Sequence, residues 1–447
     1  MILGKGLIVL QKIFVFILFC AGILVCTIFS ISILYALLFG LLIFVLFAHS
    51  LNFSWKEILK MCLTGLNASK SILITFIFIG TLTALWRISG CIPSIVCYAS
   101  GLIRPEAIII LSFLLNCLVS VLTGTAFGTA ATMGVICVSI AKSMNAPLVW
   151  VGGAVLSGVF FGDRCSPVST SSLLVSELTG TDIYRNIRNM VKTALIPFLV
   201  TCIIYTVVGF ISPSSGTAID VNALFHESFE INFICLLPAV LIIVLAVFQL
   251  NVKWLMLSSI LASLPIAYFV QDAQISDILH SIFCGYRIDS SSLSGMINGG
   301  GIVSMLKVSA IVGVASCYSG IFEKTELLSF MKAPIENIYR KVGSAVTTLL
   351  ISIPVSAISC NQTLAILLTD QLASDIKADP EKKALNLENT AVIVAPLIPW
   401  SIAGTVPLTS SGSPMTSILF ACYLYLLPLI YAALDKGRQI RSSHKIN

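Results

Sequence analysis

The residues of this chain best suited to chemistry stand in one stretch, Gly162-Asp163-Arg164-Cys165-Ser166-Pro167-Val168-Ser169-Thr170-Ser171-Ser172. It follows an apolar run from Leu148 to Phe161 that reads as a membrane helix. A carboxylate and a guanidinium therefore occur where the chain has just crossed hydrocarbon. A charge at the centre of a bilayer costs about 3 kcal/mol or more, so such residues line a water-filled path or pair with each other. Pro167 and the run of hydroxyls break the helix and supply oxygens. Carbonyls freed at a broken helix are a usual way to coordinate a small cation at mid-membrane depth. The stretch reads as half of an ion-binding site.

Within it, Asp163 is the candidate carboxylate for binding Na+ or H+, never both together. Exchange needs a group whose protonation competes with cation binding, and burial favours the neutral form of a carboxylate. The competing reading is a structural salt bridge between Asp163 and Arg164. Neighbouring helical residues do not face each other, so that bridge requires an irregular backbone. Arg164 has Glu177 or Glu388 as other partners, or it attracts an anionic solute. Ser166, Ser169, Thr125, Asn361 and Thr363 are candidate oxygen ligands, although each alone also fits an internal helix hydrogen bond. Asp370 and Asp375 fit hairpin or loop positions and are given no role. The four histidines are scattered and form no metal or catalytic cluster.

A second polar run, Thr123 to Gly134, follows the span Pro105 to Leu122 and is rich in Gly and Thr. Its small residues, Gly124 and Gly128 among them, suit close helix packing. They equally suit a broken backbone that exposes carbonyls and hydroxyls to a substrate. The Asp163 stretch, one span further on, favours the broken segment.

These residues need a membrane scaffold, and composition supplies one. Of 447 residues, 57% are hydrophobic and 10% charged, where a soluble domain has about 25% charged. The apolar runs are long and continuous, which predicts an all-α polytopic membrane protein with about 10–12 spans. The net charge of +6 resides in short loops, where it orients the chain, and implies no nucleic-acid partner. The fourteen cysteines lie mostly in apolar runs without Cys-x-x-Cys pairs and read as reduced packing residues. Lys5 and Lys12 precede an apolar stretch in the manner of a signal peptide, but Ile13 to Ala48 has no convincing cleavage site. It reads as two uncleaved spans separated near Ser30 to Ser32.

Basic segments at Lys56, at Arg185 to Lys192, at Lys341 and in the tail predict a cytoplasmic location for those loops and both termini, in the cell membrane. The loop 212–230 carries Asp220, Glu227 and Glu230 without Lys or Arg and is placed outside. It separates a first half, 1–211, from a second half, 231–447. In the second half Asn361, Gln362 and Thr363 end a span, and Pro396, Pro399 and Gly404 interrupt a helix that should cross. Paired interrupted segments in two halves point to a transporter site.

Gly162 to Pro167 resembles the Gly-Asp-Lys/Arg-x-Ser-Pro motif of the NhaC-type sodium/proton antiporter family. Thr123 to Gly134 resembles that family's Thr-Gly-Ser/Thr segment. Leu387-Glu388-Asn389-Thr390, leading to Pro396-Leu397-Ile398-Pro399-Trp400, resembles its Leu-Glu-Asp-Ser and Pro-Leu-Ile-Pro-Trp segments. Asn361-Gln362 stands where the family has a polar hairpin tip. The resemblance implies two inverted repeats, each with a re-entrant hairpin and a broken helix, and a Na+/H+ exchanger that works by alternating access. It also places Glu388 and Asn389 at the site. The family's Glu-Asp pair is here Glu388-Asn389, and the acidic and amide residues common after the proline are replaced by Ser169 to Leu173. With fewer acidic groups, an exchanger of an amino acid or small organic acid coupled to Na+ or H+ is the alternative.

No His-Glu-x-x-His motif or serine–histidine pair suggests a membrane-embedded protease, and the chain is read as no enzyme, with no cofactor beyond the carried ions. A channel is a more distant alternative. The lipid bilayer is the expected partner, and a homodimer is a candidate assembly.

Overall fold

The structure, a computed structural model, describes residues 2–28, 33–100, 104–167, 169–212, 221–248, 250, 252–288, 297–325, 327, 332–374, 376 and 378–443. The break near Ser30 to Ser32, Asp220 and Asp375 lie outside the described residues. Every named element among the described residues is a helix, and an isolated antiparallel bridge joins Tyr286 to Gly299. Helices satisfy their own backbone, as lipid demands. Six are long and apolar enough to cross a bilayer: Pro105–Thr123, Ala126–Ser143, Leu148–Cys165, Ile183–Ile211, Ile302–Phe322 and Met415–Asp435. Two bent pairs add up to two more spans, Leu73–Ile88 with Cys91–Tyr98 at 64° and Pro380–Leu397 with Ile402–Ser411 at 58°. Shorter apolar helices of 10–17 residues, Ser344–Ser359 among them, pack beside these. The chain is an all-α polytopic membrane protein.

Two helical turns position the site. Helix Ile108–Thr123 stops at Gly124, whose left-handed φ of 64° favours glycine. Thr125 is then extended, and its hydroxyl accepts the Gly128 N–H at 3.3 Å to cap the next helix. That helix doubles back, since Thr129 meets Thr123 and Cys137 meets Asn116. The polar run is thus broken at one place, Gly124–Thr125. From Ala126 it is helical, with a π turn at Ala130–Gly134. A side chain at Gly134 would meet Val155 and Ser411 at 3.0 and 3.1 Å, so small residues there also serve close packing. The two readings of this run describe different parts of it.

A similar device occurs later in the chain. Helix Ser344–Ser359 ends at Cys360, left-handed at φ 54°, and the extended Asn361 caps Gln362–Leu372. A non-glycine residue in that conformation costs on the order of 1 kcal/mol, and Cys360 is held there fully buried. A second correspondence follows each hairpin. Ser169 (φ −72°, ψ 137°) caps the ten-residue helix Thr170–Thr179, which ends at left-handed Gly180. Ser401 (φ −72°, ψ 141°) caps the ten-residue helix Ile402–Ser411, which ends at left-handed Gly412.

Candidate functional site

Helix Leu148–Cys165 carries Asp163 and Arg164 at its C-terminal end. It lies unusually close to Ile108–Thr123 because of two glycines. A Cβ at Gly158 would stand 2.6 Å from the Phe113 carbonyl oxygen, and one at Gly162 would stand 2.3 Å from the Ser120 Cβ. The Ser120 hydroxyl donates to the Val159 carbonyl at 2.6 Å across the same seam. This contact brings the last turn of the Asp163 helix against the Gly124–Thr125 break.

Asp163 is 5% exposed. Ser169 Oγ donates to its Oδ1 and Ser171 Oγ to its Oδ2, each at 2.9 Å. The backbone N–H of Ala126, at the tip of the first hairpin, is a third donor. The carboxylate therefore sits between a broken hairpin and the N-terminus of helix Thr170–Thr179, where the helix dipole favours negative charge. Ser169 also accepts the Ser171 N–H at 3.2 Å, so one hydroxyl both caps the helix and holds the acid.

Arg164 points elsewhere. It is fully buried, and its Nη1 donates to the Tyr423 hydroxyl at 2.8 Å. Its Nη2 donates to the Met190 carbonyl at 3.1 Å and to Thr193 Oγ1 at 3.4 Å, while Nε finds no acceptor. The salt bridge with Asp163 considered from the sequence does not form, because adjacent helical side chains diverge. Nor does Arg164 pair directly with Glu177 or Glu388: the ion pairs among the described residues are Arg185–Glu381, Arg340–Glu336, Lys382–Asp435 and Lys383–Asp370. Glu388 is 1% exposed with no hydrogen bond to either carboxylate oxygen, yet it lies within electrostatic reach of Arg164 and Asp163. Asn389 meets the Thr193 hydroxyl at 3.5 Å. Glu388 and Asn389 thus belong with Arg164 in a second polar group beside Asp163.

The remaining sequence candidates are distributed as follows. Gly124, Thr125 and Gly128 shape the hairpin tip whose amide reaches Asp163. The Ser166 hydroxyl is buried without a partner. Asn361 accepts the Thr363 N–H at 2.9 Å as a helix cap, and the Thr363 side chain is exposed. The second hairpin tip is bound to the second broken helix: Gln362 Nε2 donates to the Val392 carbonyl at 3.0 Å, and the Ile402 N–H donates to the Cys360 carbonyl at 2.8 Å. Trp400 Nε1 donates to the Ala357 carbonyl at 2.7 Å in the same place. Asn361 and Thr363 make no hydrogen bond to Asp163.

Ser171, Thr193 and Tyr423 join the site beyond the candidates that the sequence offers. Ser171 lay inside the singled-out stretch and eight residues from Asp163. Tyr423 and Thr193 carried no signal, since apolar spans commonly include such hydroxyls as helix bonds.

The sequence has relatives. The model of the Na+/H+ antiporter family matches residues 2–176 and 158–434. The chain is 26% identical over 425 residues to the Na(+)/H(+) antiporter NhaC of Alkalihalophilus pseudofirmus, covering 91% of each protein. It is 27% identical over 396 residues to the Malate-2H(+)/Na(+)-lactate antiporter of Bacillus subtilis, covering 85% of this chain and 82% of that one. The Arginine/ornithine antiporter ArcD of Halobacterium salinarum is 23% identical over 381 residues, covering 82% and 79%. With residues 2–176 and 158–434 both matched by one family of transporters, the chain belongs to the Na+/H+ antiporter family.

Proposed function

We propose that the chain exchanges Na+ for H+ by alternating access, with Asp163 as the group that binds either one. The observation that carries this reading is the buried Asp163 carboxylate held by Ser169 and Ser171 hydroxyls and an amide at a broken hairpin. A hydroxyl that donates to a carboxylate keeps lone pairs for a cation, although Ser169 already spends one on the Ser171 N–H. Na+ beside Asp163 would meet the Ser169 and Ser171 oxygens, with Thr125 and the unpartnered Ser166 hydroxyl as further candidate ligands. A proton on Asp163 removes the charge that holds the cation, so the two compete. The recurring caps at Gly124–Thr125 and Cys360–Asn361, and at Ser169 and Ser401, support two related halves that rock against each other. Basic loops support a cell-membrane location with both termini cytoplasmic.

Purified protein in liposomes, with a pH-sensitive dye and an imposed Na+ gradient, tests the reading. Na+-driven proton movement that Li+ but not K+ reproduces supports it, and movement of protons without counterflow would indicate a channel. A second reading, exchange of an organic acid or amino acid, is favoured by the buried Arg164 and by two of the relatives. A panel of dicarboxylates and amino acids in the same assay decides between them.

A further inference from the structure

Glu381, Leu385 and Glu388 recur at helical spacing and share one side of helix Pro380–Asn389. Glu381 and Leu385 line a cavity of about 660 Å³, together with Asn189, Lys192, Thr193 and Tyr431. Thr193 stands at its inner limit, where its hydroxyl reaches Arg164 Nη2 and Asn389. One turn beyond Leu385, Glu388 is buried with both oxygens lacking a donor. A buried carboxylate without hydrogen bonds is expensive, and an aqueous path that ends beside it gives it a source of protons or cations. At the outer rim, Glu381 pairs with Arg185 and Asp435 with Lys382, each at 2.8 Å. Charged walls of this kind suit water and would be unsuited to a crevice filled by lipid.

We propose that this cavity is the water-filled access path by which exchanged ions reach the buried Arg164–Glu388 group, with Glu388 at its inner end. The identity of the ions rests on the antiport reading, but the existence of the path does not. The test places Leu385→Cys, or Asn189→Cys should the first fail to fold, in a cysteine-free background. A charged, membrane-impermeant methanethiosulfonate reagent is then applied to right-side-out and inside-out vesicles. Labelling from one face only, slowed by Na+ and accompanied by loss of flux, is the expected result. Labelling by a membrane-soluble maleimide alone would make the cavity a lipid crevice and overturn the proposal. Labelling without loss of flux would make it a blind pocket and overturn it too. Either failure leaves the exchange of the unmodified protein intact in the same vesicles. If instead the unmodified protein showed no Na+-driven proton movement, the antiport assignment would fall while one-sided labelling of Leu385→Cys would still stand.

Discussion

Asp163 and Arg164 are neighbours in sequence and turn to different sides of one helix. The carboxylate accepts from Ser169 and Ser171 within the same stretch, whereas the guanidinium reaches Tyr423 in the last long helix. One helical turn therefore serves two environments, a small oxygen cage at the hairpin tip and a charge anchored against helix Cys422–Ser443. Each can be perturbed without touching the other.

Asp163→Asn should abolish proton-coupled exchange at every pH, since an amide neither releases a proton nor carries the charge that holds Na+. Asp163→Glu keeps the charge on a longer arm and should retain part of the activity with a displaced pH optimum. In the unaltered protein, protons load Asp163 as pH falls. The apparent Na+ affinity should then weaken about tenfold per pH unit once the pH is below the pKa of the group, as one-for-one competition requires. Uptake of radioactive Na+ across a pH series reads both effects. Exchange that survives in folded Asp163→Asn protein would move the role to Glu388.

Ser171→Ala removes a side-chain donor on Asp163 Oδ2, and Ser169→Ala removes one on Oδ1. A hydrogen bond to a charged group favours the ionised over the protonated acid by about 1.5–3 kcal/mol, so each change should let protons displace Na+ and weaken its apparent affinity by up to roughly 10- to 150-fold where the two compete. Ser169→Ala should also lower thermal stability, because the same hydroxyl caps helix Thr170–Thr179. Equal stability losses in the two variants would contradict that division of labour.

Two glycines separate packing from mechanism. A Cβ at Gly162 would come within 2.5 Å of the Val121 amide nitrogen, so Gly162→Leu must displace backbone and should chiefly reduce the yield of folded protein. Gly128, whose N–H completes the Thr125 cap, lies at the hairpin tip. Gly128→Leu should abolish transport while expression stays near normal. Size-exclusion profiles beside flux measurements distinguish the two, and parallel loss of both in Gly128→Leu would assign that glycine to packing.

Tyr423→Phe takes one acceptor from the fully buried Arg164 and should lower stability by about 1–3 kcal/mol. Arg164→Lys should do worse, because one ammonium cannot reach Tyr423, Met190 and Thr193 from the positions the guanidinium fork holds. Na+ affinity should change little in Tyr423→Phe, since Asp163 does not contact this group. A thermal melt paired with Na+ titration checks both statements.

The amino-acid sequence by itself determined the membrane class, because unbroken apolar runs with few charges leave lipid-buried helices as the physical solution. It also determined where helices stop: Gly124 accepts a left-handed backbone, and Pro167, Pro396 and Pro399 lie at or beside interruptions that local chemistry demands. The Asp163 stretch was legible for the same reason, a charge and hydroxyls placed where hydrocarbon forbids them. Only the tertiary structure decided which way the charges face. It turned Asp163 to the first hairpin and Arg164 to Tyr423, 259 residues away, and it left Glu388 buried without a donor. It placed Asn361 and Thr363 in a local cap, where spacing alone had made them candidate ligands. Such partners follow from helix packing across hundreds of residues. No local pattern of spacing or hydropathy encodes them.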